Sequence, residues 1–309
     1  MVFVETPFYQ AWKQYADTIE HRFYQYAHAV FIVLMYEILM AIFQTNKAIV
    51  YNGVDAWYFV TEKLLRGGTF MISLVVIVVW GFKLYQDWFG VKDRKEYLKD
   101  RSESKKRGKG WKPKAKTPFS KLINPYYFFF IIFEGFVWGS LIFWAFGDIL
   151  YLLLSALIPD LTIPLSLDAS RALRPLHTNL GQDIAFAFGA GFYDEYFFRS
   201  LLFVGLAWLA KRFPLFKSLS IENVKVGNVN ISMPKYKGRD SGFISVIVVG
   251  TLIYVLTHYL LPGGDIFSVY STFYRFFFGI FMYLIFVNRR FAVVAWTHVI
   301  YDLWYFLTL

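Results

Sequence analysis

The sequence has no cysteine and few charged residues for its length. With no Cys among 309 residues, disulfide bonds and metal sites built from thiolates are excluded. Charged residues make up 17% of the chain, whereas a soluble globular domain carries roughly 25%. Hydrophobic residues make up 57% and aromatic residues 22%. This composition predicts a membrane protein.

Motifs of several enzyme classes are also absent. The sequence contains no His-Glu-x-x-His zinc signature, no Gly-x-Ser-x-Gly turn of a serine hydrolase and no glycine-rich loop that would hold a phosphate group. A metalloprotease of that type, a hydrolase with that serine turn and a phosphate-loop enzyme are therefore not supported.

The net charge of +10 comes almost entirely from one segment. Residues 92–121 carry 13 Lys and Arg and 4 Asp and Glu, so this segment alone contributes +9. Such a segment is typical of a solvated cytoplasmic loop that touches anionic lipid headgroups. We therefore expect anionic lipid headgroups, and not nucleic acid, among the partners of the chain.

Long apolar stretches predict an all-α fold, a polytopic transmembrane helix bundle. A helix needs about 20 mainly apolar residues to cross a bilayer. Residues 48–66 are amphipathic and predict an interfacial helix, while residues 148–158 either extend the third span or form a short re-entrant piece. About seven stretches are long enough to cross: 26–44, 69–88, 125–147, 183–211, 243–261, 269–288 and 291–308.

The distribution of basic residues predicts the orientation, because loops rich in Lys and Arg stay preferentially in the cytoplasm. If the spans alternate, the basic loops 89–124 and 211–241 and the turn 288–290 fall on one side. The loops 158–180 and 262–268, which are neutral or acidic, fall on the other. We therefore expect a cytoplasmic N-terminus, cytoplasmic basic loops and no cleaved signal peptide.

The chain divides into two parts. Residues 1–124 contain two spans, the interfacial helix and the basic loop, and residues 125–309 contain the remaining spans. Within the second part, residues 219–237 have short β-branched alternations around Gly227-Asn228. This pattern predicts a hairpin, with a mobile loop as the alternative.

Six ionisable residues lie inside three of the predicted spans: Asp194, Glu195, Arg199, His258, His298 and Asp302. A charged side chain at bilayer depth costs at least about 2.5–3.5 kcal/mol, so such residues pair or line a water-filled cavity. Side chains four residues apart share one face of a helix, which predicts contacts of Glu195 with Arg199 and of His298 with Asp302. If the polar faces turn toward one another, their carboxylates and imidazoles can activate water as a nucleophile. The alternative is that each pair is only a packing clasp.

Three short segments carry these residues in a characteristic order. They are Asp194–Arg199 (Asp-Glu-Tyr-Phe-Phe-Arg), Tyr254–His258 (Tyr-Val-Leu-Thr-His) and His298–Asp302 (His-Val-Ile-Tyr-Asp). The order and spacing resemble the CPBP family of intramembrane proteases (CAAX protease and bacteriocin-processing, also called Abi). The motifs of that family are Glu-Glu-x-x-x-Arg, Phe-x-x-x-His and His-x-x-x-Asn or Asp. The resemblance covers roughly residues 180–309.

The resemblance implies an endopeptidase that hydrolyses a membrane-associated protein or peptide. It implies that Glu195, or Asp194, activates a water molecule together with His258. It also implies that His298 and Asp302 hold the oxyanion that forms during hydrolysis of the peptide bond.

Arg199 would fix the carboxylates in this scheme, and its position also argues against zinc. Histidines and carboxylates are acceptable zinc ligands. A guanidinium one turn from Glu195, however, competes with a metal ion for the same oxygens. Since the family chemistry is read as metal-free, we expect neither a metal ion nor another cofactor.

Two positions bear on this mechanism. Asp194 stands where the family has Glu, so its carboxylate lies roughly 1.5 Å nearer the backbone, and misplacement on the order of 1 Å can reduce a rate about 10²-fold. Asp302 is a variant found in the family, but an ionised carboxylate only accepts hydrogen bonds. Asp302 would either orient His298 through a ring N–H or remain protonated in apolar surroundings. The first option would keep His298 positively charged and make it the oxyanion donor.

The departure at Asp194 motivates a second hypothesis, in which the chain is a catalytically inactive scaffold or assembly subunit of a membrane protein complex. The first half of the chain, which carries no family motif, fits the same hypothesis. Glu37, Glu134 and Arg275 also lie in or near spans and belong to no motif. We expect them to pair across helices, the alternatives being a polar path or a partner contact.

Overall fold

The computed structural model describes residues 15, 22–43, 68–88, 125–157, 180–212, 221–226, 229–234, 241–260 and 267–308. Within this part of the chain the structure is helical apart from one hairpin. Its elements are α1 (Arg22–Phe43), α2 (Gly68–Trp88), α3 (Pro125–Ser140), α4 (Gly147–Leu157), α5 (Leu180–Asp194), α6 (Phe203–Arg212), β1 (Ile221–Val226), β2 (Val229–Pro234), α7 (Ser241–Leu260) and α8 (Val269–Thr308).

Two π-helical segments join neighbouring α-helices into longer rods. Leu141–Phe146 connects α3 to α4, so residues 125–157 form one continuous helix. The C-terminal piece of this rod therefore extends the third predicted span, the first of the two alternatives. Glu195–Leu202 connects α5 to α6 in the same way. Pro125 suits its place at the start of α3, where the missing N–H has no helical partner to lose.

The apolar helices are compatible with an integral membrane protein. By length and composition, three helices of the described residues can cross a membrane: Phe23–Phe43, Tyr126–Leu157 and Val269–Thr308. Two shorter apolar helices cover Ser73–Tyr85 and Ile244–Leu260. The number of such helices is therefore lower than the seven expected. One reason is that α8 contains two predicted spans in a single element.

The two parts of α8 meet at Arg290, whose backbone has φ 67° and ψ −173°. The break falls between the predicted spans 269–288 and 291–308. This region of backbone space is almost exclusive to glycine and costs on the order of 1–3 kcal/mol for other residues, so it persists only where the surroundings impose it. Here Arg289 Nε lies 2.5 Å from Glu134 Oε1, and the backbone N–H of Ala292 donates to Gln25 Oε1 at 2.7 Å.

Strands β1 and β2 pair antiparallel, with Val226 opposite Val229. This pairing confirms the hairpin predicted in residues 219–237, and Gly227 and Asn228 themselves lie outside the described residues. The predicted interfacial helix 48–66 and the basic segment 92–121 also lie outside them.

Glycines allow the last helix to pack closely against its neighbours. α8 packs against α3 and α5, and α1 packs against α5 and α2. Gly135 and Gly139 of α3 face the backbone of α8 around Thr297, an arrangement of small residues typical of helix contacts in membranes. A Cβ atom at Gly191 of α5 would lie 2.9 Å from Ala295 O. This contact brings the end of α5 against the middle of the final helix.

Replacing Arg290 with glycine should stabilise the protein by about 1 kcal/mol, because glycine relieves the backbone strain and loses part of the gain to its greater freedom in the unfolded chain. Arg290→Ala is the matched control, since it removes the same side chain but keeps Cβ. Thermal unfolding in detergent measures the difference. Equal midpoints of thermal unfolding for Arg290→Gly and Arg290→Ala would show that the backbone at this position is not strained.

Gly191→Ala should destabilise the bundle by about 1–3 kcal/mol, because the added methyl group overpacks the contact with α8. Gly205→Ala is the control on the same rod, as a Cβ there meets no atom within 4 Å. Its expected effect is small or stabilising. Unfolding of both variants under the same conditions tests the contact. A similar loss of stability in both would show that the close approach at Gly191 is not what makes its substitution destabilising.

Candidate functional site

The six ionisable residues predicted from the motifs are all buried in the helix bundle. Their exposed fractions range from 0% for Glu195 and Arg199 to 7% for Asp302. Asp194 ends α5, and Glu195 and Arg199 belong to the π-helical segment that follows it. His258 lies two residues before the end of α7, and His298 and Asp302 lie in the second part of α8.

Glu195 is the centre of the site because both of its carboxylate oxygens have cationic or hydrogen-bonding neighbours. Oε1 lies 2.6 Å from Nδ1 of His298, and Oε2 lies 3.2 Å from Nε of Arg199. Since an ionised carboxylate only accepts hydrogen bonds, Nδ1 of His298 carries the proton and donates it. The predicted contact of Glu195 with Arg199 is confirmed, and the contact with His298 is an addition.

His298 lies between two carboxylates. Its Nε2 atom is 3.7 Å from Oδ2 of Asp302, which confirms that these side chains share one face of the helix. This distance is longer than a hydrogen bond. The Nε2 edge of the ring therefore faces the Asp302 carboxyl group without a hydrogen bond to it.

Arg199 lies in a cage of aromatic rings. Its guanidinium carbon is 4.5 Å from the centroid of Tyr254, 5.3 Å from that of Tyr283 and 5.8 Å from that of Phe198. Among the described residues, none of its three side-chain nitrogens has a hydrogen-bond partner, so the contact of Nε with Glu195 is an ion pair only. Cation–π attraction is therefore the main compensation for burying this end of the side chain. The hydroxyl of Tyr283 donates to the Phe198 carbonyl at 2.9 Å, which fixes one wall of the cage.

His258 is oriented by its own helix. Its Nδ1 atom lies 2.8 Å from the carbonyl oxygen of Tyr254, one turn earlier, and its ring packs edge-on against the Tyr254 ring at 4.5 Å. A carbonyl can only accept, so Nδ1 carries the proton. In the neutral ring, Nε2 is then the nitrogen with an available lone pair. The Tyr254 ring contacts both His258 and the Arg199 guanidinium, which places His258 close to the rest of the cluster.

Asp194 is buried next to these residues, with 3% of its surface exposed. It interacts electrostatically with His298, Glu195, Arg199 and Asp302. All six predicted residues therefore converge on one region of the bundle. The direct contact between two of the motifs is the hydrogen bond from His298 to Glu195.

The π-helical form of Glu195–Leu202 is a feature that the sequence analysis did not predict. Such segments are rare and are found frequently at functional sites. The segment begins at Glu195, whose carboxylate accepts a hydrogen bond from His298 on another helix, and it includes Arg199. A hydrophobic pattern alone does not distinguish it from an α-helix, because Glu195 and Arg199 share a face in both.

The charged residues outside the motifs also have partners, as expected. Glu134 accepts from Arg289 at 2.5 Å and from the hydroxyl of Tyr15 at 2.8 Å. Glu37 hydrogen-bonds to Ser73, whose hydroxyl bonds to that of Tyr193.

Arg275 faces the ring of Tyr259 at 5.5 Å. The expectation of pairing across helices is therefore confirmed for Glu37 and Glu134, while Arg275 has an aromatic contact with α7.

Double substitution should reveal the coupling between Glu195 and Arg199. Either Glu195→Gln or Arg199→Gln alone leaves one charge buried without its partner, and we expect each to cost about 3–5 kcal/mol of unfolding free energy. The double variant should cost less than the sum of the two, because it removes both charges. Unfolding curves of the four proteins measure this coupling. Additive losses would mean that the pair does not interact in the folded protein.

Neither a metal site nor a similarity to a known protein assigns a function to these residues. In the described part of the chain, no group of three or more His, Asp or Glu side chains is arranged to hold a metal ion. Comparison of the chain with protein-family models, with curated proteins and with solved structures finds no match.

Proposed function

We propose that the chain is an intramembrane endopeptidase that hydrolyses a membrane-associated protein or peptide with an activated water molecule. The observation that carries the proposal is the contact between two of the three motifs at Glu195 and His298, 2.6 Å apart in a buried site. The remaining motif, Tyr254–His258, supplies His258, whose ring contacts Tyr254 as the Arg199 guanidinium does. The resemblance of these motifs to the CPBP family supports the same reaction.

In the proposed mechanism His258 is the general base. Its Nε2 lone pair takes a proton from water as the water oxygen attacks the carbonyl carbon of the substrate. The same proton then passes to the leaving nitrogen as the C–N bond breaks. Asp194 accepts the second hydrogen of the water and so orients it.

His298 stabilises the oxyanion in this mechanism. Its Nδ1–H bonds to Glu195, and its Nε2–H faces Asp302 at a distance too long for a hydrogen bond. A proton on Nε2 is therefore available to the carbonyl oxygen as that oxygen gains charge. Glu195 and Asp302, on either side of the ring, stabilise its positive charge. Arg199 holds Glu195 from the other side.

This assignment changes the part given to Glu195. The family pattern makes Glu195 or Asp194 the water-activating carboxylate. Both oxygens of Glu195 have close contacts with His298 and Arg199. In our proposal Glu195 positions His298, and Asp194 is the carboxylate that binds water.

We further propose a bundle of seven spans with a cytoplasmic N-terminus and cytoplasmic basic loops. The apolar helices of the described residues support this arrangement, since they coincide with the expected spans. The segment 92–121 would then contact anionic lipid headgroups on the cytoplasmic side.

A second candidate function is that of a scaffold without catalysis. One observation favours it: Glu195 is 0% exposed, hydrogen-bonded to His298 and ion-paired with Arg199, as in a purely structural contact. In this case the site holds the bundle together, and the cellular role belongs to other surfaces, among them the loops 92–121 and 219–237.

Cleavage of membrane-spanning peptides by the purified chain in liposomes tests the two functions. Wild-type protein should produce defined fragments by mass spectrometry. Glu195→Ala, His258→Ala and His298→Ala should lower the rate by at least about 10²-fold. Thr297→Val is the control, because its hydroxyl bonds only within its own helix, to Val293 O at 2.9 Å.

Persistent cleavage in all three variants would reject this site as the catalytic centre. The scaffold function predicts a different outcome. Wild-type protein would cleave nothing and would co-purify with a stoichiometric partner. The cellular role would survive Asp194→Ala and His258→Ala, and deletion of 92–121 or 219–237 would abolish it.

A further inference from the structure

Tyr283, in the first part of α8, is hydrogen-bonded to the π-helical segment Glu195–Leu202. Its hydroxyl donates to the carbonyl oxygen of Phe198 at 2.9 Å. The same oxygen accepts the backbone N–H of Phe203, five residues along the chain, which is the pairing of a π-helix. A carbonyl oxygen has two lone pairs, so both of its acceptor positions are occupied. The tyrosine hydroxyl therefore meets the segment at one of the bonds that make it π-helical.

Tight packing holds the Tyr283 hydroxyl against this segment. The side chain is 0% exposed, and its ring lies 5.4 Å from the ring of Phe203 and 5.3 Å from the guanidinium carbon of Arg199. On the side of α7, the absence of a side chain at Gly250 leaves room for the hydroxyl, because a Cβ atom there would overlap with Oη and Cζ of Tyr283. The hydroxyl is therefore enclosed between α7 and the segment that it bonds to.

The second part of α8 bonds to the same segment. Glu195, its first residue, accepts from Nδ1 of His298 at 2.6 Å. Tyr283 and His298 lie on opposite sides of the backbone break at Arg290. The π-helical segment is therefore bonded to both parts of α8, to one part through the Phe198 carbonyl and to the other through the Glu195 carboxylate.

The helical form of the segment decides where the Glu195 carboxylate points. In an α-helix a carbonyl accepts from the N–H four residues along the chain, and in a π-helix from the N–H five residues along. Conversion to an α-helix would therefore turn one side of the rod relative to the other by roughly 100°, the angle of one residue. Because Tyr283 and Phe203 hold the Phe198 carbonyl, this turn would fall on the Glu195 side and carry the carboxylate away from His298.

We propose that Tyr283 is a positioning residue of the site: its hydroxyl keeps Glu195–Leu202 π-helical and so keeps Glu195 hydrogen-bonded to His298. Tyr283 does not touch the reacting atoms. Its effect passes through the Phe198 carbonyl to the Glu195 carboxylate, and from there to the His298 ring, the oxyanion donor of the proposed mechanism. The effect on rate rests on the proposed peptidase function, whereas the effect on the segment does not.

A first measurement, by NMR, does not depend on turnover. The dipeptide Phe-Arg occurs once in the sequence, at residues 198–199, so protein labelled with ¹³C-carbonyl phenylalanine and ¹⁵N-arginine gives a single correlated signal, that of the Phe198 carbonyl. Tyr283→Phe keeps the ring and removes only the hydroxyl. It should shift this signal and, in protein labelled with ¹⁵N-histidine, the Nδ1 signal of His298. If either signal stays at its wild-type position, the inference is overturned.

Tyr270→Phe is the matched control. Tyr270 lies in the same part of α8, and its hydroxyl also contacts a backbone carbonyl, that of Gly147 at 3.4 Å. Both NMR signals should stay at their wild-type positions in this variant, because its hydroxyl bonds to a different rod. Shifts as large as those of Tyr283→Phe would overturn the inference, since the signals would then report a general change in α8.

The second measurement is the rate of cleavage of a membrane-spanning peptide. A displacement of His298 on the order of 1 Å should lower kcat of Tyr283→Phe by about 10²-fold, with little change in KM, while Tyr270→Phe keeps the wild-type kcat. If the wild type is active and Tyr283→Phe keeps its kcat, the inference is overturned while the peptidase function stands. If the wild type cleaves nothing, the proposed function fails, and the two NMR signals alone decide whether Tyr283 holds the segment.

Discussion

The architecture depends on the cost of placing charge inside an apolar bundle. Glu195, Arg199, His298 and Asp302 would each be expensive to bury alone, and their arrangement offsets much of that cost. Glu195 has a central part because it joins the rod of residues 180–212 to the second part of α8. If this contact separated, His298 would lose its hydrogen bond and Arg199 its counter-ion. Loss of this contact would therefore affect both the packing of these helices and the site.

The first half of the chain supports the site although it carries no motif. α1 packs against α5, and Gln25 of α1 caps the second part of α8 at Ala292. One turn along α1, His28 accepts a hydrogen bond from Nε1 of Trp296 at 2.8 Å. The helix that carries His298 is thus held by α1 at its start and by α5 at its middle. Residues 1–124 carry none of the motifs, but α1 belongs to the same packed unit as the helices that carry them.

Much of the site was predictable because it follows from local geometry. The pairs Glu195–Arg199 and His298–Asp302 follow from the spacing of four residues on a helix, and the hairpin follows from the alternation around residues 227–228. The contact of Glu195 with His298 did not follow, since it depends on how closely two distant helices approach. That approach is set by Gly191, which sequence patterns do not mark as a contact point.

The predicted spans coincide with helices, and three helices of the described residues are long and apolar enough to cross a membrane. Arg289 and Arg290 interrupt the apolar run of residues 269–308, and the backbone does break at Arg290. The π-helical segments leave no such mark in the sequence, because they differ from α-helices in backbone pairing and not in composition.

The ion pair of Arg289 with Glu134 has a consequence for the biogenesis of the chain. In the proposed orientation, Arg289 of a nascent chain is a positive charge between two apolar segments and favours retention of that turn in the cytoplasm. Once the bundle has closed, the Arg289 charge is matched by a carboxylate on α3. The residue can therefore direct insertion early and serve as a structural cross-link afterwards. Its orienting influence ends when α3 and α8 meet, so this charge guides the chain only while the bundle is still being assembled.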